Sequence, residues 1–304
     1  MQAITDGEAG LKLASCLMAL AALSLGGLCA QEVPNEGTRA VQSPGNAAWT
    51  ADPEEARSRA VAENKLVFVE FEGEECGNCQ RMKTLLYPAF DFEALLIGMV
   101  PVRVDLESTA ARELRDRYGV NEAPAILILS PEGRLVFRME GFLNAPDFYR
   151  QVHKDLDAYR KFTRKVEAQD VPRLPAAEAV STGRELYERS DPGAAFPRLS
   201  RAVSHPKATA AQRDEAREVL AAVELDLGRP AAARQTINRL IATTKSAERR
   251  ERAELFRAQI PLAEDKPAEA LALFRKFARD HPKSPHLPQV QELVEKLQSA
   301  VGKP

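Results

Sequence analysis

Cys76 and Cys79 are the residues of this chain best suited to chemistry. They frame a Cys76-Gly77-Asn78-Cys79 motif. A bond between cysteines three positions apart closes almost no loop, so it adds little to stability and its value is chemical. The attacking species in disulfide exchange is a thiolate, and the exposed N–H groups of a helix N-terminus favour it. At such a helix start the first cysteine is exposed and the second lies one turn in. Cys76 is then the nucleophile, and Cys79 is the resolving thiol that closes the ring and releases a trapped partner. Two other readings stay open, an inactive disulfide in a binding module and a two-cysteine metal site. Structural zinc takes four ligands, and His153, His205, His281 and His286 stand singly without ligand spacing. No metal ligand is assigned, and no cofactor is expected beyond the cysteine pair itself.

The other two cysteines, Cys16 and Cys29, fall in an N-terminal segment of a different kind. Residues 13–28 (LASCLMALAALSLGGL) are apolar or small, Lys12 precedes them, and Ala30 ends a small-residue stretch before Gln31-Glu32. That pattern marks residues 1–30 as a signal peptide, although Asp6 and Glu8 make its leader acidic. The apolar run of 16 residues is short for a membrane span, which needs about 20; retention as an anchor stays open. The expected location is exported, periplasmic or extracellular. Without the leader, Cys76 and Cys79 are the sole pair.

Elements that position the pair follow. Residues 31–48 are rich in Pro, Gly and small polar residues and read as a linker. Asp52 caps a helix with Pro53 in its first turn and acids behind it, running to about Asn64. The β-branched and aromatic run LVFVEF (66–71) is a strand that leads into the motif. A helix follows from Gln80 to Leu86, where Pro88 interrupts it. Residues 99–106 form the second strand, 108–118 a polar helix ended by Gly119, and 125–129 (AILIL) the third strand. A turn at 130–133 joins that strand to a fourth at 134–139, and a long helix spans 145 to about 165. This order means a mixed sheet covered by helices.

Residues 49–150 resemble a thioredoxin-family domain, as found in secreted proteins or at the end of transmembrane electron-transfer proteins. The matching pieces are Trp49 with the helix to Asn64-Lys65, LVFVEF, CGNC, VRVD (102–105), YGVNEAPAILIL (118–129), PEGR (131–134) and the glycine of MEGF (139–142). The resemblance implies an α/β thioredoxin-like domain, a mixed central sheet flanked by helices, over 49–166. It implies that Pro124 is cis and faces the dithiol, that the backbone of Ala123 pairs with substrate, and that Gly77 and Asn78 complete the substrate-binding surface. It also implies that Glu70, six residues before Cys76, is a buried acid that assists proton transfer from Cys79. By alternation Glu70 points away from the face of Val69 and Phe71. The family usually has an aromatic residue just before the first cysteine, whereas this chain has Glu75, with Glu72 and Glu74 nearby. Carboxylates disfavour a thiolate, and a stabilised thiolate is what makes such a dithiol a strong oxidant. A reductase or isomerase is therefore expected over an oxidant.

Beyond a linker at 167–175 the composition shifts to Ala, Arg, Leu and Glu. Pro192-Gly193-Ala194-Ala195, Pro230-Ala231-Ala232-Ala233 and Pro267-Ala268-Glu269-Ala270 recur at spacings of 38 and 37 residues, the period of helix-turn-helix solenoids. Each marks a helix start, preceded by an amphipathic helix such as 215–227 or 251–263, and 287–301 closes the array. Residues 176–304 thus resemble tetratricopeptide-type repeats, without their full set of aromatic and glycine positions. The resemblance implies an all-α helical-repeat domain that binds a protein partner on its concave side. With 42 basic and 44 acidic residues and a net charge of −2, there is no basic footprint for nucleic acid. The expected function is an exported thiol–disulfide oxidoreductase acting on protein disulfides. An exported reductase draws electrons from across a membrane, so a membrane thiol donor is an expected partner. The alternative is a non-catalytic exported adaptor in which repeats and thioredoxin fold serve protein binding.

Overall fold

The computed structural model describes residues 48–88 and 90–301. The leader at 1–30, all but the last residue of the linker 31–48, and residues 302–304 lie outside them. The chain divides into two compact units, which within the described residues span 48–168 and 169–301. Among the described residues no helix is long and apolar enough to cross a membrane.

The first unit is built on a four-stranded mixed sheet. Helix α1 (Pro53–Glu63) starts where Asp52 accepts hydrogen bonds from the Glu54 and Glu55 amides, and ends at Asn64 with φ 51°. Strand β1 (Leu66–Glu72) follows, then α2 (Gly77–Leu85), α3 (Phe90–Leu96), β2 (Met99–Asp105), α4 (Thr109–Tyr118), β3 (Ala125–Leu129), β4 (Leu135–Glu140) and α5 (Ala145–Glu167). The strand order is β2-β1-β3-β4. β1 pairs parallel with β2 and antiparallel with β3, and β3 pairs antiparallel with β4. The motif therefore follows the C-terminal end of an internal strand, β1.

Both faces of β1 are covered, as a central strand of such a sheet requires. Val67, Val69 and Phe71 join Ala56, Ala60, Val102, Val104 and Leu127 in one core. Phe68 and Glu70 take the other face and are also fully buried. There Phe68 meets Trp49 and Phe92 edge-on at 5.9 and 5.6 Å, and Tyr87 stacks on Phe92 at 4.5 Å. Phe92 comes from α3, a helix that the sequence reading leaves out. Its seven residues are too few to display a helical period, so only the covering of Phe68 reveals its purpose. Two further boundaries move: α2 begins at Gly77 rather than Gln80, because the motif itself is the first turn, and β4 runs 135–140 rather than 134–139.

The second unit is all-helical among its described residues. A 3-10 turn (Val171–Arg173) leads into α6 (Ala176–Glu188), α7 (Pro192–Ser204), α8 (Ala210–Asp226), α9 (Pro230–Thr243), α10 (Ala247–Ala263), α11 (Pro267–Asp280) and α12 (Leu287–Val301). The segment 167–175 is tied down here: the Gln169 side chain donates to Glu178 and Thr182 and accepts from Arg198. Pro192, Pro230 and Pro267 each open a helix, a position where the missing N–H costs nothing. Two residues before each proline, Ser190, Gly228 and Asp265 have φ of 63, 69 and 56°. The same backbone turn thus recurs at the sequence period. Helix α8 is buried along nearly its whole middle, including the charged Glu218, which Arg249 and Arg252 of α10 each reach at 2.8 Å.

Candidate active site

Helix α2 is capped by the residue expected to react. Cys76 has extended backbone, φ −78° and ψ 94°, and its Sγ accepts the Cys79 N–H at 3.1 Å. Sulfur thus takes the place usually held by a serine or aspartate oxygen, and a backbone donor meets the atom that carries charge when reduced. Cys76 and Cys79 are joined in a disulfide. Cys76 is half-buried while Cys79 is 2% exposed, so only the first sulfur is open to a partner. Just before it, Glu75 sits at φ 53°, a conformation that costs a non-glycine residue energy.

Cys76, Gly77 and Asn78 line a cleft of about 580 Å³ together with Gly73, Glu74, Asp105, Leu106, Glu107 and Ala123. Four of the expected site residues meet there. Pro124, Cys79 and Glu70 are not among its lining residues. The Ala123–Pro124 bond is cis. A Cβ on Gly73 would stand 3.3 Å from the Ala123 Cβ, so a residue without a side chain lets the two loops close on each other. Among the described residues no hydrogen bond engages the Ala123 backbone. Three of the cleft's walls, Glu74, Asp105 and Glu107, carry carboxylates. Arg115 lies 3.4 Å from Glu107, and the Arg81 side chain reaches Asn78 at 3.5 Å.

Glu70 lies under the sheet face that Phe68 shares. Its Oε2 receives Arg103 Nε and Nη2, each at 2.8 Å, and its Oε1 accepts the Tyr87 hydroxyl. Burial raises the Glu70 carboxyl, against the downward pull of Arg103 and the Tyr87 hydrogen bond. The Tyr87 hydroxyl is raised too, by burial and then by Glu70. Burial alone would lower Arg103, but Glu70 and Glu72 outweigh it and the guanidinium is held charged. Arg103 also reaches Glu72 at 3.0 Å, Lys83 of α2 reaches Glu72 at 2.7 Å, and the guanidinium lies 4.3 Å from the Trp49 ring centre. Lys83 and Tyr87 thus moor both the end of α2 and the residue just past it to β1.

Tyr87 and Arg103 are absent from the sequence reading. A signal existed for Arg103, an arginine inside the apolar run VRVD, since a strand otherwise buried admits a cation only beside an anion. Tyr87 carried no such mark. A second omission lies on β4. Glu140 Oε2 accepts the amides of Asn121 and Glu122 at 3.1 and 3.3 Å. Among the described residues, no group of three or more His, Cys, Asp or Glu is placed to hold a metal.

The family model described as a thioredoxin-like domain matches residues 53–156. The chain is similar to a thioredoxin from Thermus thermophilus, with 28% identity over 36% of this chain and 85% of that one and a TM-score of 0.33. It is similar to a putative disulphide-isomerase from Bacteroides thetaiotaomicron, with 28% identity over 38% and 97% and a TM-score of 0.34. A third similarity is to the C-terminal domain of DsbD from Neisseria meningitidis in its oxidised form, with 18% identity over 34% and 91% and a TM-score of 0.30. Among curated proteins none matches. Residues 53–156 are a thioredoxin-like domain whose CxxC pair, Cys76 and Cys79, is joined as a disulfide, and an all-helical region follows it.

Proposed function

We propose that this chain is an exported thiol–disulfide oxidoreductase that reduces or isomerises protein disulfides. The observation that carries the reading is the asymmetry of the pair: Cys76 caps α2 and opens on the cleft, while Cys79 is buried one turn in. In the reducing direction the Cys76 thiolate attacks one sulfur of a substrate disulfide. A mixed disulfide forms, and the other substrate sulfur leaves as a thiolate. Cys79 then gives up its proton and attacks Cys76 Sγ, which closes the Cys76–Cys79 bond and frees the second substrate thiol. The substrate gains two electrons and the protein loses them, so a thiol donor at the membrane must reduce the pair again.

Glu70 is assigned the proton of Cys79. A buried carboxyl with a raised pKa holds a proton more readily than a free one. The Ala123 backbone is assigned to pair with the substrate chain across the cleft, with Pro124, Gly77 and Asn78 shaping the surface around it. Carboxylates at Glu74, Asp105 and Glu107 beside Cys76 oppose a stable thiolate, which favours the reductase or isomerase direction. Export follows from the apolar leader at 13–28. The helical repeats are assigned a protein partner.

The deciding experiment is trapping with Cys79→Ser, which blocks resolution and leaves substrates bound to Cys76. Mixed disulfides on exported proteins are the expected result. None on any protein, together with equal insulin reduction by the wild type and Cys76→Ser, would sink the enzymatic reading and leave the adaptor role.

A further inference from the structure

The loop that carries Ala123 has an unusual fastening. It leaves α4 at Gly119, φ 67°, and reaches β3 at Ala125 without joining the sheet. Glu140 stands opposite Ala125 in the β3–β4 register and turns its carboxylate back under the loop. One oxygen takes the consecutive amides of Asn121 and Glu122, two adjacent N–H groups converging on one anion. The other oxygen is held by Arg138 Nη2. Arg138 in turn donates to the carbonyls of Tyr118 at 2.8 Å and Gly119 at 2.6 Å. Past the proline, the Gly141 amide donates to the Pro124 carbonyl at 2.8 Å. Tyr118, Gly119, Asn121, Glu122 and Pro124 are each therefore tied once to β4 or to Gly141 just past it, and within the loop the Asn121 side-chain amide also donates to the Gly119 carbonyl at 3.0 Å. Val120 itself is buried in the core.

We propose that Glu140 is a positioning residue for substrate capture: with Arg138 it fixes the 121–122 backbone and so presents the free Ala123 peptide groups to a chain lying in the cleft. This rests on the reading of Ala123 as the substrate-pairing backbone. Charge strengthens the fastening, since hydrogen bonds to an ionised acceptor are about twice as strong as neutral ones. The lowered pKa of the Glu140 carboxyl accords with it: burial works against the anion, but the Arg138 and backbone donors prevail. Glu140 touches neither cysteine, so the chemistry at sulfur is left alone.

The test uses the full chain with Glu140→Ala and, as the milder change, Glu140→Gln. Insulin reduction gives KM and kcat, and the rate of reduction of the Cys76–Cys79 disulfide by dithiothreitol reports on sulfur chemistry without the loop. Expected are a KM raised about tenfold in Glu140→Ala, less in Glu140→Gln, with kcat and the dithiothreitol rate within about twofold of wild type. Exchange of the Asn121 and Glu122 amides is expected to speed up in both variants. An unchanged KM overturns the proposal, and so does an equal fall in the dithiothreitol rate, which would mark a merely structural role. Unprotected amides at 121 and 122 in the wild type overturn it as well, even if a variant fails to fold. A wild type that reduces insulin no faster than Cys76→Ser fails the enzymatic reading instead, and this proposal falls with it.

Discussion

Glu70 and Arg103 stand directly opposite each other in the parallel register of β1 and β2, and two nitrogens of the arginine reach one oxygen of the acid at 2.8 Å. The acid is fully buried and the arginine side chain is 17% exposed. Removing Arg103 takes away charge-assisted hydrogen bonds worth about 1.5–3 kcal/mol, and the buried Glu70 then keeps its proton. Arg103→Met is expected to lower unfolding free energy by that order in urea titrations. The double variant Arg103→Met with Glu70→Gln is expected to recover a large part of the loss. A strictly additive double variant would mean that the pair does not interact.

Glu70 also carries a sign. Its carboxyl is raised in the folded chain, so the fold binds that proton more tightly than the unfolded chain, where Glu titrates near 4.3. Its contribution is full below about pH 4.3 and is lost as pH rises through the raised value. Relative to Glu70→Gln, the wild type is expected to lose stability as pH rises above the unfolded value of about 4.3. The same substitution is expected to slow release of the mixed disulfide roughly 10²-fold, measured by quenched-flow, with little change in its formation. A pH-independent difference in stability would contradict the shift.

Glu140 runs the other way. Its carboxyl is lowered, so its contribution is present above the unfolded value near 4.3 and disappears as pH falls through the lower folded value. Amide exchange at Asn121 and Glu122, corrected for intrinsic rates, is expected to show protection that fades as pH falls below the ordinary carboxylate value. In Glu140→Gln that acid step should vanish.

In the helical unit, Gly183 of α6 allows close approach to α7. A Cβ there would stand 2.7 Å from Leu199 Cγ and 2.9 Å from its Cδ2, and Leu199 is fully buried. Alanine gains about 1 kcal/mol in helix propensity but overpacks by about 1–3 kcal/mol. Gly183→Ala is expected to lower stability by about 1 kcal/mol, read by calorimetry. A gain in stability would show that Leu199 can yield.

What the sequence discloses is uneven, and the reasons are physical. LVFVEF and AILIL are legible because a central strand covered on both faces reads as a continuous apolar run. Pro192, Pro230 and Pro267 are legible because proline is favoured at a helix start and because they recur with a period, whereas Pro197 and Pro261 sit inside helices and give no such signal. Cys76 and Cys79 announce themselves by spacing. Helix α3 hides because seven residues hold two turns and no period. Tyr87, Arg138 and Glu140 hide for another reason: each acts through a partner 17 to 20 positions away, and a single side chain gives no sign of where the chain will return.

The sulfur cap at Cys76 has a consequence for turnover. Whether Cys76 is a thiolate, a mixed disulfide or bonded to Cys79, its Sγ keeps lone pairs that can take the Cys79 N–H. The cap on the first turn of α2 is therefore expected to survive reduction of the pair. A serine oxygen at position 76 would serve the same amide. Cys76→Ser is therefore expected to keep the helix cap while removing the reactive sulfur and its bond to Cys79.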